Sequence, residues 1–217
     1  MKIIEHSLTF GNEVLTLTQQ RAIYWAKEEA LILSDLHLGK AAHFRKHGIS
    51  LPTTISMQDL RRLQLLLSHY NPRQVIVVGD LIHAGSNNEV TAFAELTRLY
   101  PSAKFTLIKG NHDRHPSSYL QELGIDTQVD ELHIRGIRFT HQPNYDHIPT
   151  ISGHIHPGVR IRLPHKKYLR FPCYAQINNQ LILPAFSLFT GLDSSTLPSE
   201  TTYYAIHEDG LFIVATP

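Results

Sequence analysis

The spacing of apolar and polar residues changes twice along the chain. In the first thirty residues KIIEHSLTF, EVLTLTQ and RAIYW predict short strands, with turns at Gly11-Asn12 and Gln19-Gln20. From residue 30 onward, short apolar runs alternate with helical spacing. ALILS (30–34), QVIVV (74–78) and KFTLIK (104–109) are brief, uniformly apolar runs, which predicts buried strands. Between the first two, Ile55, Leu60, Leu63, Leu66 and Leu67 give one apolar helix face, stopped by Asn71-Pro72. NNEVTAFAELTRLY predicts a second helix, capped by Asn87 or Asn88 and ended at Pro101. SSYLQELG predicts a short third helix closed by Gly124. After about residue 125 the helical spacing stops, and DTQVDELHI, GIRFTH, TISGHIH, GVRIRL, YLRFPCYAQI, QLILPA, TTYYAIH and GLFIVA all predict strands. The order predicts an α/β architecture, with parallel strands first and an antiparallel meander later. Two packed sheets with helices outside would bury both halves.

Composition narrows the class. A chain of 217 residues, with no repeat and no linker, predicts a single domain over 1–217. With 42% hydrophobic and 18% charged residues it is globular, and a net charge of +1 excludes a polycationic tail protein. The lone Cys173 excludes an intrachain disulfide and reads as a small buried apolar residue in a strand. The N-terminus carries no apolar stretch of the signal-peptide kind, and no apolar run approaches the ~20 residues of a bilayer span. The expected location is cytoplasmic, with no membrane partner.

Histidine changes the picture most. There are 15 histidines, and while His6, His69, His133, His165 and His207 stand alone, the others cluster in short motifs, several of them at strand ends. ALIL runs into Asp35-Leu36-His37, QVIVV into Gly79-Asp80 and His83, and KFTLIK into Gly110-Asn111-His112-Asp113. GIRFT runs into His141, and TIS into Gly153-His154-Ile155-His156. In α/β sheets the site lies beyond the carboxyl ends of the strands, so these side chains would converge. Two Asp, one Asn and four His form a nitrogen and oxygen donor set without thiolate, which suits two divalent ions, Mn²⁺ first and Fe, Zn or Co next. Two ions sharing a carboxylate match the donor count. The Asp-x-His and His-x-His spacings place both side chains on one side if the strand ends stay extended. The glycines before Asp80, Asn111 and His154 would let the backbone turn sharply at the ions.

The order D-x-H, G-D, G-N-H-D, H, G-H-x-H resembles the calcineurin-like metallophosphoesterase superfamily, from Leu31 to about His156. The resemblance implies a sandwich of two mixed β-sheets flanked by helices. It implies that Asp35, His37, Asp80 and His156 hold one metal, and that Asp80, Asn111, His141 and His154 hold the other. It further implies that His112 is the acid near the substrate, with Asp113 orienting its loop. Gly-Asp-Leu-Ile-His and Gly-Asn-His-Asp look more like the nuclease branch than like serine/threonine phosphatases or lipid A pathway hydrolases, and there a histidine at the place of His83 orients the phosphate. SDLHLGKAAHFRKHGISLP and LILPAFSLFTGLD look like the bacterial ligase-associated DNA damage response endonucleases. That implies a DNA endonuclease in repair, with a DNA ligase, exonuclease and helicase as pathway partners. A small-molecule phosphatase or cyclic-nucleotide phosphodiesterase with the same metals is the alternative; a non-catalytic scaffold would have lost ligands.

Charge outside the metal set points to DNA as well. Lys40 and Arg45 follow the first motif and Arg114 the third, as a phosphate-contacting rim or as ordinary solvated positions. From His147 through Leu192 there is no Asp or Glu in 46 residues, while Arg160, Arg162, Lys166, Lys167 and Arg170 give that stretch a charge of +5. Overall neutrality hides a basic segment that starts at the last metal motif, where it could neutralise nucleic-acid phosphates. A charged exposed hairpin explains the same residues. Trp25 and most of the Tyr and Phe residues are expected in the core.

Overall fold

Strand alternation builds the first sheet. β1 (Glu5–Phe10), β2 (Glu13–Thr18), β3 (Ile23–Trp25) and β4 (Ala30–Leu33) pair antiparallel in that order. After α1 (Lys40–Lys46) and α2 (Thr54–Tyr70), β5 (Gln74–Val78) pairs parallel to β4. α3 (Asn88–Arg98), β6 (Lys104–Ile108), α4 (Ser117–Glu122) and β7 (Thr127–Val129) extend the parallel half. Asn87 is the cap of α3, its side chain accepting from the amides of Glu89 and Val90. The structure, a computed structural model, describes residues 2–46, 48, 54–85, 87–195 and 197–215. The side chains of Arg45, Lys46, Thr54, Ile55, Ser56, Lys166 and Ala215 lie outside the described residues, as does residue 47.

The second sheet is assembled from β8 (Glu131–Ile134), β9 (Ile137–Thr140), β10 (Thr150–Ser152), β12 (Tyr168–Ile177), β13 (Gln180–Ile182), β14 (Thr202–His207) and β15 (Gly210–Ala215), with β11 (Gly158–Arg162) paired to β12. It is not the antiparallel meander that the sequence predicts. β10 lies between β9 and β13 and runs parallel to both. The parallel register aligns Thr140 with Ser152. His141, the residue after Thr140, and His154, two residues after Ser152, therefore leave the sheet at one edge.

Period-two alternation separates the layers. Leu31, Leu33, Val75, Val77, Phe105 and Leu107 face the helices, against Leu63, Leu66, Phe93 and Leu120. Ile32, Ile76, Val78 and Ile108 face the other way, into the second sheet at Phe139, Ile151, Tyr174 and Leu181. Trp25 is in this inter-sheet layer, fully buried. Cys173 belongs to a smaller cluster with Val159, Ala175 and Tyr203. The result is a sandwich of two mixed sheets with helices α2–α4 packed on the first sheet. Among the described residues no helix is long and apolar enough to cross a membrane.

A buried ion pair locks the segment after β13 against α2. Arg62 donates to Asp59 Oδ1 at 2.7 Å, to the Phe186 carbonyl at 2.8 Å and to the Gln20 carbonyl at 3.1 Å, with its guanidinium over the Phe186 ring. Arg21 donates to the carbonyls of Ala185 and Ser187, and the Leu188 amide to the Asp59 carboxylate. Burial pushes the Asp59 carboxyl up to about 6 and Arg62 down to about 10. Removing one partner strands a buried charge, whereas replacing both with apolar groups removes the desolvation cost. Asp59→Ala should therefore destabilise by about 3–5 kcal/mol, and Asp59→Leu with Arg62→Met by much less, as read from urea unfolding. A carboxyl held above its unfolded value is a cost that grows as pH rises from about 4 to about 6. The stability of the double variant relative to the native chain should accordingly rise across that interval.

Candidate metal centre

The loops that carry the candidate ligands are zipped to one another. The amides of Asp35, His37 and Leu38 donate to the carbonyls of Gly79, Asp80 and Leu81. The His154 amide donates to Asp35 Oδ2 at 3.1 Å, and the His112 amide to Asp80 Oδ1 at 3.0 Å. Carboxylates of the first sheet thus accept from backbone on the loops of both sheets. The backbone at these positions is not extended. Asp35, His37, Asp80, His154 and His156 have φ of 54°, 50°, 48°, 69° and 53°, the left-handed region that costs a non-glycine residue roughly 1–2 kcal/mol. Asp35 and His37 do fall in one group, as their spacing predicts, though through left-handed turns and not an extended strand end; His154 and His156, expected on one side, turn to different groups, because a left-handed residue redirects the chain at each step.

The glycines act partly as expected. Gly79 has φ of 82°, and a Cβ there would lie 1.9 Å from His141 Nδ1. Gly110 and Gly153 are not left-handed; they leave room. A Cβ on Gly110 would stand 2.3 Å from Asp80 Oδ1, and one on Gly153 2.6 Å from Asp35 Oδ2.

Two groups of side chains result. Asp35, His37 and His156 form one, and Asp80, His141 and His154 the other, each with ligand atoms within 4.8 Å of one another. In the first, His37 Nε2 faces His156 Nε2 at 3.2 Å, and His156 Nε2 is 3.3 Å from Asp35 Oδ1. In the second, His154 Nδ1 is 3.1 Å from His141 Nε2, which is 3.6 Å from Asp80 Oδ2. Asn111 shares a cleft of about 540 Å³ with His141 and Gln142, whose side-chain amide donates to Asn111 Oδ1.

The donor set fits divalent cations. Asp35 is fully buried, yet among the described residues its Oδ1 has only the ion-pair contact with His156 and no well-formed hydrogen bond, and His37 Nδ1 has no hydrogen-bond partner. Burial alone would raise the Asp35 carboxyl; the imidazoles of His156, His141 and His37 outweigh it and hold the carboxyl below its usual range. Burial drives His37 down to about 3 and lowers His154, so both imidazoles are neutral near pH 7 and offer lone pairs. Among the described residues neither Asp35 nor Asp80 is ion-paired to a Lys or Arg, and an oxygen- and nitrogen-seeking ion would complete the two groups.

The other sequence-derived residues fall at different distances from these groups. Asp113 is buried and turned away, accepting from the amides of Leu81, Ile82 and Gly110, so it ties the third loop to the second. His112 is exposed, its ring centroid 5.9 Å from that of His37 and 4.6 Å from that of His83. His83 is lowered by burial and by His112. Lys40 is half-buried, its backbone amide donating to the His37 carbonyl. Arg114 is exposed and donates to the Asn111 carbonyl. Arg160 and Arg170 sit opposite each other in the β11–β12 register, and with His156 they line a groove of about 510 Å³. Arg162 and Lys167 are exposed further along the same hairpin and do not line it. The Arg45 and Lys166 side chains lie outside the described residues.

Sequence reasoning missed the wall formed by the segment after β13. The Phe186 amide donates to the Ser34 carbonyl and the Ser187 amide to the Asp35 carbonyl. No local spacing announces a contact across 150 residues. Gln142 was equally invisible, although its neighbour His141 was not.

Comparison with known proteins gives a consistent picture. No curated protein matches the chain. Among solved structures, the crystal structure of Pseudomonas putida nuclease MPE is similar with a TM-score of 0.81 and 26% identity, covering 97% of this chain and 100% of that one. The model of the calcineurin-like phosphoesterase family matches residues 30–185, a span that includes every loop that carries a candidate ligand and stops just before Phe186 and Ser187 of the wall. The chain belongs to the calcineurin-like phosphoesterase family.

Proposed function

We propose that the protein is a phosphodiesterase with two divalent metal ions, Mn²⁺ first among them, and that its substrate is DNA, which it cuts as an endonuclease in repair. The carrying observation is the pair of adjacent Asp/His/His groups with the exposed His112 imidazole beside them. In this reading Asp80 is the shared ligand, and Asn111 joins His141 and His154. The likeness to a protein described as a nuclease, and the basic groove that starts at His156, favour a polynucleotide over a small diester.

When bound, two divalent ions supply Lewis-acid charge and bring the pKa of water toward ~7. The chain's own groups do the rest. The His83 imidazole, kept neutral, offers a hydrogen bond that orients the phosphate. Lys40 and Arg114 add positive charge at the rim. Protonated His112 gives its proton to the leaving oxygen. Its backbone amide on Asp80 Oδ1 fixes the distance between that imidazole and the second group. Arg160, Arg162 and Lys167 contact more distant phosphates; Arg45 and Lys166, whose side chains lie outside the described residues, are assigned to DNA on sequence alone.

Three outcomes test this. Phosphodiesterase activity should vanish with chelator and return with Mn²⁺, and Asp80→Asn should lower metal content and rate more than any other single ligand change; an active, metal-free Asp80→Asn protein would overturn the two-metal reading. His112→Ala should keep its metal, as measured by elemental analysis, while losing ~10²–10⁴-fold in rate. That loss should shrink for esters with good leaving groups, which need no proton. Finally, neutralising Arg160 with Arg162, or Lys166 with Lys167, should weaken duplex DNA binding and flatten the log affinity against log salt slope by about 0.9 per lost phosphate contact. A small diester reporter should be turned over as before. Equal losses on both substrates would assign the hairpin to folding, and no loss on either would favour a small-molecule diesterase.

A further inference from the structure

Two aromatic side chains beside the candidate metal centre do not join the core. Phe44 and Phe189 are part-exposed and meet edge to face, with ring centroids 5.6 Å apart. Phe44 stands one helical turn after Lys40 on α1, so both project from one face. Phe189 comes from the wall after β13. Together with Lys40, Thr190, Gly191 and Leu188, itself 39% exposed, they line an open hollow of about 360 Å³.

The hollow is held in place. The Leu188 amide donates to the Asp59 carboxylate, the Phe189 amide to Ser187 Oγ at 3.1 Å, and Thr190 Oγ1 to the Ser187 carbonyl at 3.3 Å. A braced backbone therefore displays apolar side chains to water, where burial would otherwise be favoured. The hollow also adjoins the candidate metal centre on two sides. Lys40, at its edge, donates its backbone amide to the His37 carbonyl at 3.0 Å, and Gly191 borders the groove that reaches His156 and Arg160. An aromatic hollow with one cation at the end nearest a phosphate site matches a flat, largely apolar ring joined to an anion. Base–aromatic stacking tolerates every base, because each has a π-face.

We propose that the Phe44–Phe189 hollow is a nucleobase subsite, which stacks an unpaired base adjoining the phosphate held at the metal centre. The inference rests on the phosphodiesterase reading and deepens it. A base inside intact duplex is stacked on its neighbours and is not free to enter, so the preferred DNA offers an unpaired nucleotide: a single strand, a frayed end or a distorted junction.

The test compares two esters on Mn²⁺-loaded protein: thymidine 5′-(p-nitrophenyl phosphate) and methyl p-nitrophenyl phosphate, which has no base. The native chain should show a KM roughly ten- to hundredfold lower for the nucleoside ester, the range expected of one base on an aromatic platform. Phe44→Leu and Phe189→Leu keep apolar volume and lose the aromatic face. Each should erase most of that advantage and leave turnover of the methyl ester unchanged. Equal KM values for the two esters in the native chain, or equal losses on both in the variants, overturn the subsite. A second measurement stands apart from catalysis: fluorescence anisotropy with phosphorothioate-linked single strands, either natural or abasic, and with duplex of the same length. The natural single strand should bind most tightly, and Phe189→Leu should remove its margin over the abasic strand. Equal affinity for natural and abasic strands overturns the subsite whatever the esters do. The expected binding order with no ester cleaved would instead sink the phosphodiesterase reading and leave the base subsite standing.

Discussion

Two carboxylates buried among imidazoles constrain the rest of the structure. Asp35 is wholly buried and Asp80 nearly so. Each carries negative charge into a region where desolvation is costly. Each offsets part of that cost by accepting a backbone amide from another loop, Asp35 from His154 and Asp80 from His112. The first of these hydrogen bonds requires the two sheets to end at a common edge, and the second ties two loops of the first sheet there. They also explain why parallel pairing occurs in both sheets, since β4, β5 and β6 must deliver residues to the edge that β9 and β10 serve.

Convergence of so many loops leaves little space, and the backbone bears the cost. Five of the seven candidate ligand residues adopt left-handed φ. Asp and His tolerate this region better than β-branched residues do, which makes the donor residues compatible with the turns that aim them. Such strain persists only where the surroundings over-determine it. Here the surroundings are the amide-to-carbonyl zipper between the first two loops, Asp113 beneath the third, and the wall after β13 on Ser34 and Asp35. That wall in turn depends on Asp59, Arg62 and Arg21. A buried ion pair some distance from the chemistry thus supports the most buried ligand.

The same wall organises the surface around the centre. One side of it turns Phe189 toward Phe44, and the other meets the β11–β12 hairpin in the groove that holds Arg160 and Arg170. Apolar and cationic surfaces therefore flank the metal groups on adjoining sides, which is the arrangement a polynucleotide needs if its bases and phosphates are to be held separately.

The ligand residues were legible in the sequence because each follows an apolar strand, and strand ends in such sheets are where chemistry collects. Alternating Leu31, Ile32 and Leu33 already declared a strand buried on both faces, and the capping Asn87 declared the start of a helix. Other features were not legible, each for a physical reason. The parallel placement of β10 between β9 and β13 depends on non-local pairing, which leaves no periodic trace in a three-residue strand. The opposite destinations of His154 and His156 follow from left-handed φ, whereas His-x-His spacing alone suggests a shared face. The roles of Asp59, Ser187 and Phe189 arise from contacts across more than a hundred residues. Hydrophobic period and residue chemistry determined which side chains could act and roughly where the strands lie; only the tertiary structure decided which of them meet, because that depends on how two sheets and one braced segment close around a buried charge.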